Sequence, residues 1–98
     1  MDIETMQCQA RAATELLQAC AHPARLVLLC QLSQEELNVG ELEQRLGIHQ
    51  PSLSQQLGVL RRQGLIEGRR EGQLIFYRLA NEEARELIQS LYRIYCNK

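Results

Sequence analysis

The chain has 98 residues, of which 45% are hydrophobic and 23% are charged. These values predict one globular domain over residues 1–98 and exclude a disordered chain. No apolar run is long enough to cross a membrane, and the N-terminus lacks the basic-then-apolar order of a signal peptide, so we expect a cytoplasmic protein with no membrane partner.

The formal net charge of −1 hides an uneven distribution of charged residues. Between Arg45 and Arg78 there are six arginines and two glutamates, a local charge of +4. The acidic residues concentrate around Glu35–Glu43 and Glu82–Glu86. This segregation is typical of a basic face for nucleic-acid phosphates and an acidic back, although scattered surface arginines are the alternative.

Two helices are predicted in the first third of the chain. Residues 2–19 are rich in helix-forming residues, and their apolar positions fall near one face. His22-Pro23 ends this helix and begins a second one, in which Cys30 is expected at or near a core surface. A polar loop over 33–38 and a short helix over 39–46 follow.

A helix-turn-helix is predicted around Gly47. Glycine is common after a helix C-terminus, and Pro51 suits the first turn of the next helix. Leu53, Leu57 and Leu60 then recur at i, i+4 and i+7, which gives the second helix one apolar stripe. This second helix would be the recognition helix, and an ordinary helical hairpin in a small bundle is the alternative.

The segment 65–79 reads as two short strands around a turn that contains Gly72 and arginines. Asn81 then caps a last helix with Leu87, Leu91 and Ile94 on one stripe. We therefore expect a mainly α fold with a two-stranded β-wing, a winged helix-turn-helix. The first and last helices are too apolar for a monomer, which predicts a homodimer through them, unless they bury each other within one subunit.

The polar residues of this motif are candidates for contacts with a double-stranded DNA operator, an imperfect palindrome read by two copies. Glutamine and serine side chains can hydrogen-bond base edges, whereas arginines bind phosphates. Gln56 is left without an assigned role. The predicted base contacts are Gln50, Ser52, Ser54 and Gln55, and the predicted phosphate contacts are Arg61, Arg62, Arg69 and Arg70.

Four cysteines form neither a C-x-x-C motif nor a local cluster with histidine: Cys8, Cys20, Cys30 and Cys96. A structural disulfide scaffold is improbable in a cytoplasmic protein. These residues leave three alternatives open, which are buried inert thiols, metal ligands and redox-active thiols. No cofactor is expected.

Segments 21–29, 39–42, 50–57 and 64–66 together resemble the ArsR/SmtB family of winged-helix repressors, over nearly the whole chain. Many members sense metals through cysteines on the helix before the turn, where this chain has Asn38-Val39-Gly40-Glu41. The histidine-containing zinc set of the last helices is also missing, since no histidine follows His49. We therefore predict no metal site.

Cys30 and Cys96, with Tyr95 before the second cysteine, resemble the thiol-based BigR/SqrR/HlyU-like branch of that family. The resemblance implies a repressor that senses reactive sulfur species: a sulfur chain joins the two cysteines, and the operator is released. Cys8 and Cys20 are expected to be small apolar filler. The alternatives are an anti-repressor that displaces another DNA-bound protein, a sensor of general oxidants, and a small thiol enzyme. An enzyme is disfavoured because no cysteine has an acid–base partner nearby in sequence.

Overall fold

The computed structural model describes residues 1–96. Within this range the chain forms five helices and three strands, in the order expected for a winged helix-turn-helix. They are α1 (Ile3–Cys20), α2 (Pro23–Gln34), β1 (Leu37–Asn38), α3 (Val39–Leu46), α4 (Ser52–Arg62), β2 (Ile66–Glu71), β3 (Leu74–Leu79) and α5 (Glu82–Tyr95).

The sheet has three antiparallel strands in the order β1-β3-β2, not the two predicted. Leu37 pairs with Tyr77 and Asn38 with Phe76, so the predicted polar loop over 33–38 is wrong in its last two residues. Helix α2 also runs on to Gln34. A two-residue strand is too short to show a period, and Leu37 is 1% exposed only because β3 lies beside it.

Helix α4 is held against the core by its stripe of apolar side chains. The predicted leucines Leu53, Leu57 and Leu60 are all buried, against Leu28 and Leu29 of α2. Truncating such a side chain to alanine costs ~2–5 kcal/mol of unfolding free energy. Because this stripe is held inside, the opposite side of α4 is left at the surface.

The turn between α3 and α4 is shaped by local polar contacts and one glycine. Asn38 and Glu41 form a capping box at the start of α3, with hydrogen bonds of 2.9 and 3.0 Å between side chain and backbone. Gly47 ends α3 at φ 68°, a left-handed conformation that costs a glycine little.

The first and last helices carry apolar residues that the single chain does not bury. In α1 only Ala19 and Cys20 are buried, and Ile3 is 61% exposed. In α5 Tyr92 and Ile94 are 60% and 61% exposed. No helix within residues 1–96 is both long and apolar enough to cross a membrane.

Candidate nucleic-acid interface and thiol pair

The surface side of helix α4 carries the predicted base-contact residues. Ser52, Ser54 and Gln55 are exposed, whereas Leu53 and Leu57 of the same helix are buried. Short hydroxyls and an amide at the leading end of a recognition helix are suited to base edges in a major groove.

Gln50, the fourth predicted base contact, has a further task that the sequence did not reveal. Its Oε1 accepts a hydrogen bond of 3.0 Å from the Ser54 backbone N–H. Pro51, at the N-cap position of α4, makes no side-chain cap, so the Gln50 amide satisfies one of the free N–H groups there. The amide nitrogen of Gln50 is the group that can still donate to DNA.

Arg61 and Arg62 at the end of α4 and Arg70 on the wing are exposed cations. Within residues 1–96 none of the three forms an ion pair. Their charges are therefore available to bind phosphates.

Arg69 differs from the other wing arginine, because its guanidinium is already bound. Its Nε and Nη2 lie 2.6 and 2.5 Å from Glu36 Oε1, and its Nη1 lies 2.6 Å from Glu71 Oε2. The guanidinium carbon also lies 5.1 Å from the centre of the Phe76 ring, the cross-strand neighbour of Arg69. The hydrogen bonds to Glu36 and Glu71 raise the pKa of Arg69. The equivalence of Arg69 and Arg70 expected from the sequence is therefore not present in the structure.

Two more arginines of the basic segment are neutralised by carboxylates. Arg45 lies 2.6 Å from Glu35, and Arg78 Nε donates to Glu67 over 2.7 Å. The sequence predicted that Glu35 and Glu36 belong to an acidic back, and this is wrong for both. Glu36 pairs with Arg69 because β1 joins the sheet and brings the residues before it to the wing, whereas Glu35 pairs with Arg45 of α3.

Cys30 lies on α2 and faces α5. It is half-buried and lines a groove of about 510 Å³ with Val27 of its own helix and Ile88 and Tyr92 of α5. Arg85 of α5 donates to the Ser33 carbonyl oxygen over 3.1 Å, which holds α5 to the C-terminal end of α2. Cys96 directly follows α5 and is exposed.

Electrostatic interactions connect the thiols of Cys20, Cys30 and Cys96. Burial raises the pKa of Cys30, and the negative charge of the Cys96 thiolate raises it further. Burial also raises the pKa of Cys20, with a further contribution from Cys30, whereas Arg25 acts in the opposite direction. Cys30 thus lies within electrostatic reach of both Cys96 and Cys20.

The two cysteines expected to be apolar filler differ from each other. Cys20 is 8% exposed and belongs to the core, which confirms its prediction. Cys8 is exposed on α1, so its prediction is wrong for the single chain, because the N-terminal part of α1 contacts nothing that would bury it. Among residues 1–96 no three or more Cys, His, Asp or Glu side chains converge as a metal site.

A helix-turn-helix with a polar outer face, followed by a β-hairpin that carries arginines, defines a winged-helix DNA-binding protein. Comparison with known proteins identifies the family within this class. The family described as "Bacterial regulatory protein, arsR family" matches residues 22–68. The chain belongs to this ArsR family and is a transcriptional regulator.

Its relatives include both a repressor and an activator. The biofilm growth-associated repressor of Agrobacterium fabrum is 53% identical over 94 residues, 96% of this chain and 80% of the relative. The transcriptional activator HlyU of Vibrio cholerae is 44% identical over 96 residues, 98% of this chain and 89% of the relative. The crystal structure of the repressor BigR from Xylella fastidiosa superposes with a TM-score of 0.94, at 50% identity over 98% of both chains.

Proposed function

We propose that this regulator is a cytoplasmic homodimeric repressor that leaves its operator when reactive sulfur species join Cys30 to Cys96. The observation that carries the proposal is the position of Cys30. It lies half-buried in a groove against α5, within electrostatic reach of the cysteine that follows this helix. The relatives named as BigR and as a biofilm growth-associated repressor support a repressor role.

The dimer would form through α1 and α5. Ile3, Met6 and Leu17 of α1 and Tyr92 and Ile94 of α5 are between 47% and 61% exposed in the single chain. A second copy that covers these side chains removes apolar surface from water, at ~25 cal/mol per Å². Two copies would then present two recognition helices to half-sites about 10 bp apart, centre to centre.

On each half-site, Ser52, Ser54 and Gln55 would contact base edges, together with the amide nitrogen of Gln50. The unpaired arginines Arg61, Arg62 and Arg70 would bind phosphates. Arg69 remains a phosphate candidate only if DNA displaces Glu36 and Glu71 from it, so its contribution is expected to be smaller.

The covalent step can be written with an organic trisulfide, RS–S–SR, as the sulfur donor. The exposed Cys96 thiolate attacks the RS–S–SR chain, forms Cys96–S–S–SR and releases one thiolate RS⁻. The Cys30 thiol loses its proton to water and attacks the sulfur next to Cys96, which releases the second RS⁻. Two cysteine thiols are oxidised, the trisulfide is reduced to two thiolates, and Cys30–S–S–S–Cys96 remains.

The added sulfur explains why such a donor would work better than peroxide. A direct disulfide requires Cα atoms within ~7 Å, whereas one more sulfur spans a wider gap with less movement of α2 and α5. The bridge would bind α5, at the proposed dimer interface, to α2, which packs beneath the recognition helix. A coupling of ~1–3 kcal/mol between the two sites already weakens operator binding about 5- to 150-fold.

The experiment exposes the reduced protein to an organic trisulfide, to hydrogen peroxide and to an organic disulfide. Intact-mass spectrometry and operator binding are then read on the same samples. We expect the trisulfide to give an internal bridge, in which the protein gains one sulfur and loses two hydrogens, and to release DNA. Cys30→Ser should accumulate the open adduct on Cys96 and still bind DNA, while Cys8→Ser serves as the matched control and responds normally.

A Cys30→Ser protein that releases DNA fully would return Cys30 to a packing role. Peroxide acting as well as the trisulfide, with a plain disulfide as product, would favour a general oxidant sensor. The activator HlyU among the relatives favours one second candidate, an anti-repressor that displaces another DNA-bound protein. Footprinting of the target promoter with and without a competing nucleoid protein separates this role from direct repression.

A further inference from the structure

The guanidinium of the half-buried Arg25 connects three helices of the subunit. Its Nε and Nη2 donate to the backbone oxygens of Ala19 and Gln18 over 2.6 and 3.0 Å. Its Nη1 donates to Gln56 Oε1 over 3.1 Å. Arg25 belongs to α2, the two carbonyls to the last turn of α1, and Gln56 to the recognition helix α4.

The contact with α1 is an electrostatic anchor. The last turn of α1 has no basic residue of its own, and its carbonyls carry the negative end of the helix dipole. Arg25 supplies the missing cation from the neighbouring helix. Because only Ala19 and Cys20 of α1 are buried, this end is where α1 is fixed to the subunit.

The contact with Gln56 reaches the helix that reads DNA. Gln56 is half-buried, unlike its exposed neighbour Gln55, and its amide oxygen is already occupied by Arg25. The leucine stripe of α4 resists separation from the core, but apolar contacts are non-directional and tolerate a small roll or slide. A hydrogen bond from a rigid, charged fork is directional and restricts both.

We infer that Arg25 is a positioning residue that sets the distance and angle between the two recognition helices of the dimer. This inference rests on the proposed dimer through α1. The Arg25 side chain binds both the end of α1, a proposed dimerisation helix, and the middle of α4, the recognition helix. The two α1 helices and the two α4 helices of the dimer therefore move together. The dependence of operator affinity on half-site spacing is then set by the Arg25–Gln56 hydrogen bond, although this bond does not contact DNA.

The test measures how sharply the protein rejects an operator whose half-sites are moved apart by one base pair. Gln56→Met keeps the length and helix propensity of the side chain but removes the acceptor. Gln56→Glu keeps an acceptor for Arg25. Gln63→Met, at the exposed C-cap position directly after α4, is the matched control. Each variant is measured for its affinity ratio between the two operators, its thermal midpoint, its salt dependence and its sedimentation.

We expect Gln56→Met to lower the spacing ratio about 10-fold, with the thermal midpoint and the slope of affinity against salt unchanged. Gln56→Glu and Gln63→Met should keep the ratio of the wild type. The inference is overturned if Gln56→Met keeps the ratio, or if Gln56→Glu loses as much as Gln56→Met, since Gln56 would then contact DNA itself. A wild-type protein that sediments as a monomer on its operator overturns the dimer proposal and this inference with it. The response of Cys30 and Cys96 to the trisulfide is measured in a separate experiment.

Discussion

The wing offers a sharp test, because its two adjacent arginines have the same charge and different surroundings. Arg70 is exposed and forms no ion pair within residues 1–96, while Arg69 is bound to Glu36 and Glu71 at 2.5–2.6 Å. We predict that Arg70→Gln flattens the salt dependence of operator binding and that Arg69→Gln leaves it nearly unchanged. The two exchanges remove the same formal charge from neighbouring positions.

The magnitude follows from the number of phosphates that are neutralised. Each contact contributes about 0.9 to the slope of log K against log salt, and a dimer loses two contacts per substitution, about 1.8 in total. When salt rises fourfold, from about 50 to about 200 mM, the wild type should therefore lose ~12-fold more affinity than Arg70→Gln. Arg69→Gln should weaken binding at every salt concentration instead, because it leaves Glu36 and Glu71 unneutralised on the wing.

The assay is a fluorescence-anisotropy titration of the operator at five or more salt concentrations, with the protein kept reduced. Glu36→Gln is the control, because it frees part of the Arg69 guanidinium and should make the slope steeper or leave it unchanged. A slope that changes as much in Arg69→Gln as in Arg70→Gln would show that DNA displaces both carboxylates and that the ion pairs of the free protein do not decide the contact.

Four further outcomes are expected. Gln55→Ala should relax base preference at one operator position, at a cost of ~1–3 kcal/mol measured by competition with single-base variants; uniform weakening on all sequences would argue against a base contact. Zinc, cadmium or arsenite should not release the operator while the thiols are reduced, as followed by anisotropy; stoichiometric metal binding that abolishes DNA binding and survives Cys8→Ser would contradict this. Gly47→Ala should lower the unfolding free energy by about 1 kcal/mol in urea titrations, because φ 68° is unfavourable for alanine. Burial raises the pKa of Cys30, and only a thiolate attacks sulfur, so the bridging rate should still rise with pH above about 8.5; a plateau there would mean that Cys30 titrates like a free cysteine.

The parts of the fold that the sequence predicts correctly are those with a repeating local signal. The stripe of Leu53, Leu57 and Leu60 places α4, and glycine with proline marks the turn before it. Strand β1 was missed because its two residues have no period and are buried only through pairing with β3. Local patterns predict elements that are determined by neighbours in sequence. They fail for an element such as β1, which forms only by pairing with a distant strand.

The candidate site likewise contains residues that a local pattern predicts and contacts that depend on residues far apart in sequence. The exposure of Ser52, Ser54 and Gln55 follows from helix periodicity. The ion pair of Arg69 with Glu36 joins residues 33 positions apart, and the hydrogen bond of Arg25 with Gln56 joins residues 31 apart, so no local motif could indicate either. The pairing of two cysteines remains a proposal from family resemblance; the structure adds that Cys30 lines a groove against α5, the helix that Cys96 directly follows.

The pairing of arginines within the subunit also bears on how such a regulator can be switched. Three of the six arginines between Arg45 and Arg78 are neutralised by glutamates, which leaves three per subunit for phosphates. In the proposed dimer these arginines would neutralise about six phosphates, which corresponds to a salt slope of about −5. The rest of the affinity must come from contacts that depend on the position of the recognition helices. A small change in helix spacing then removes a large part of the binding free energy, so a bridge between α2 and α5 need not move either helix far to release the operator.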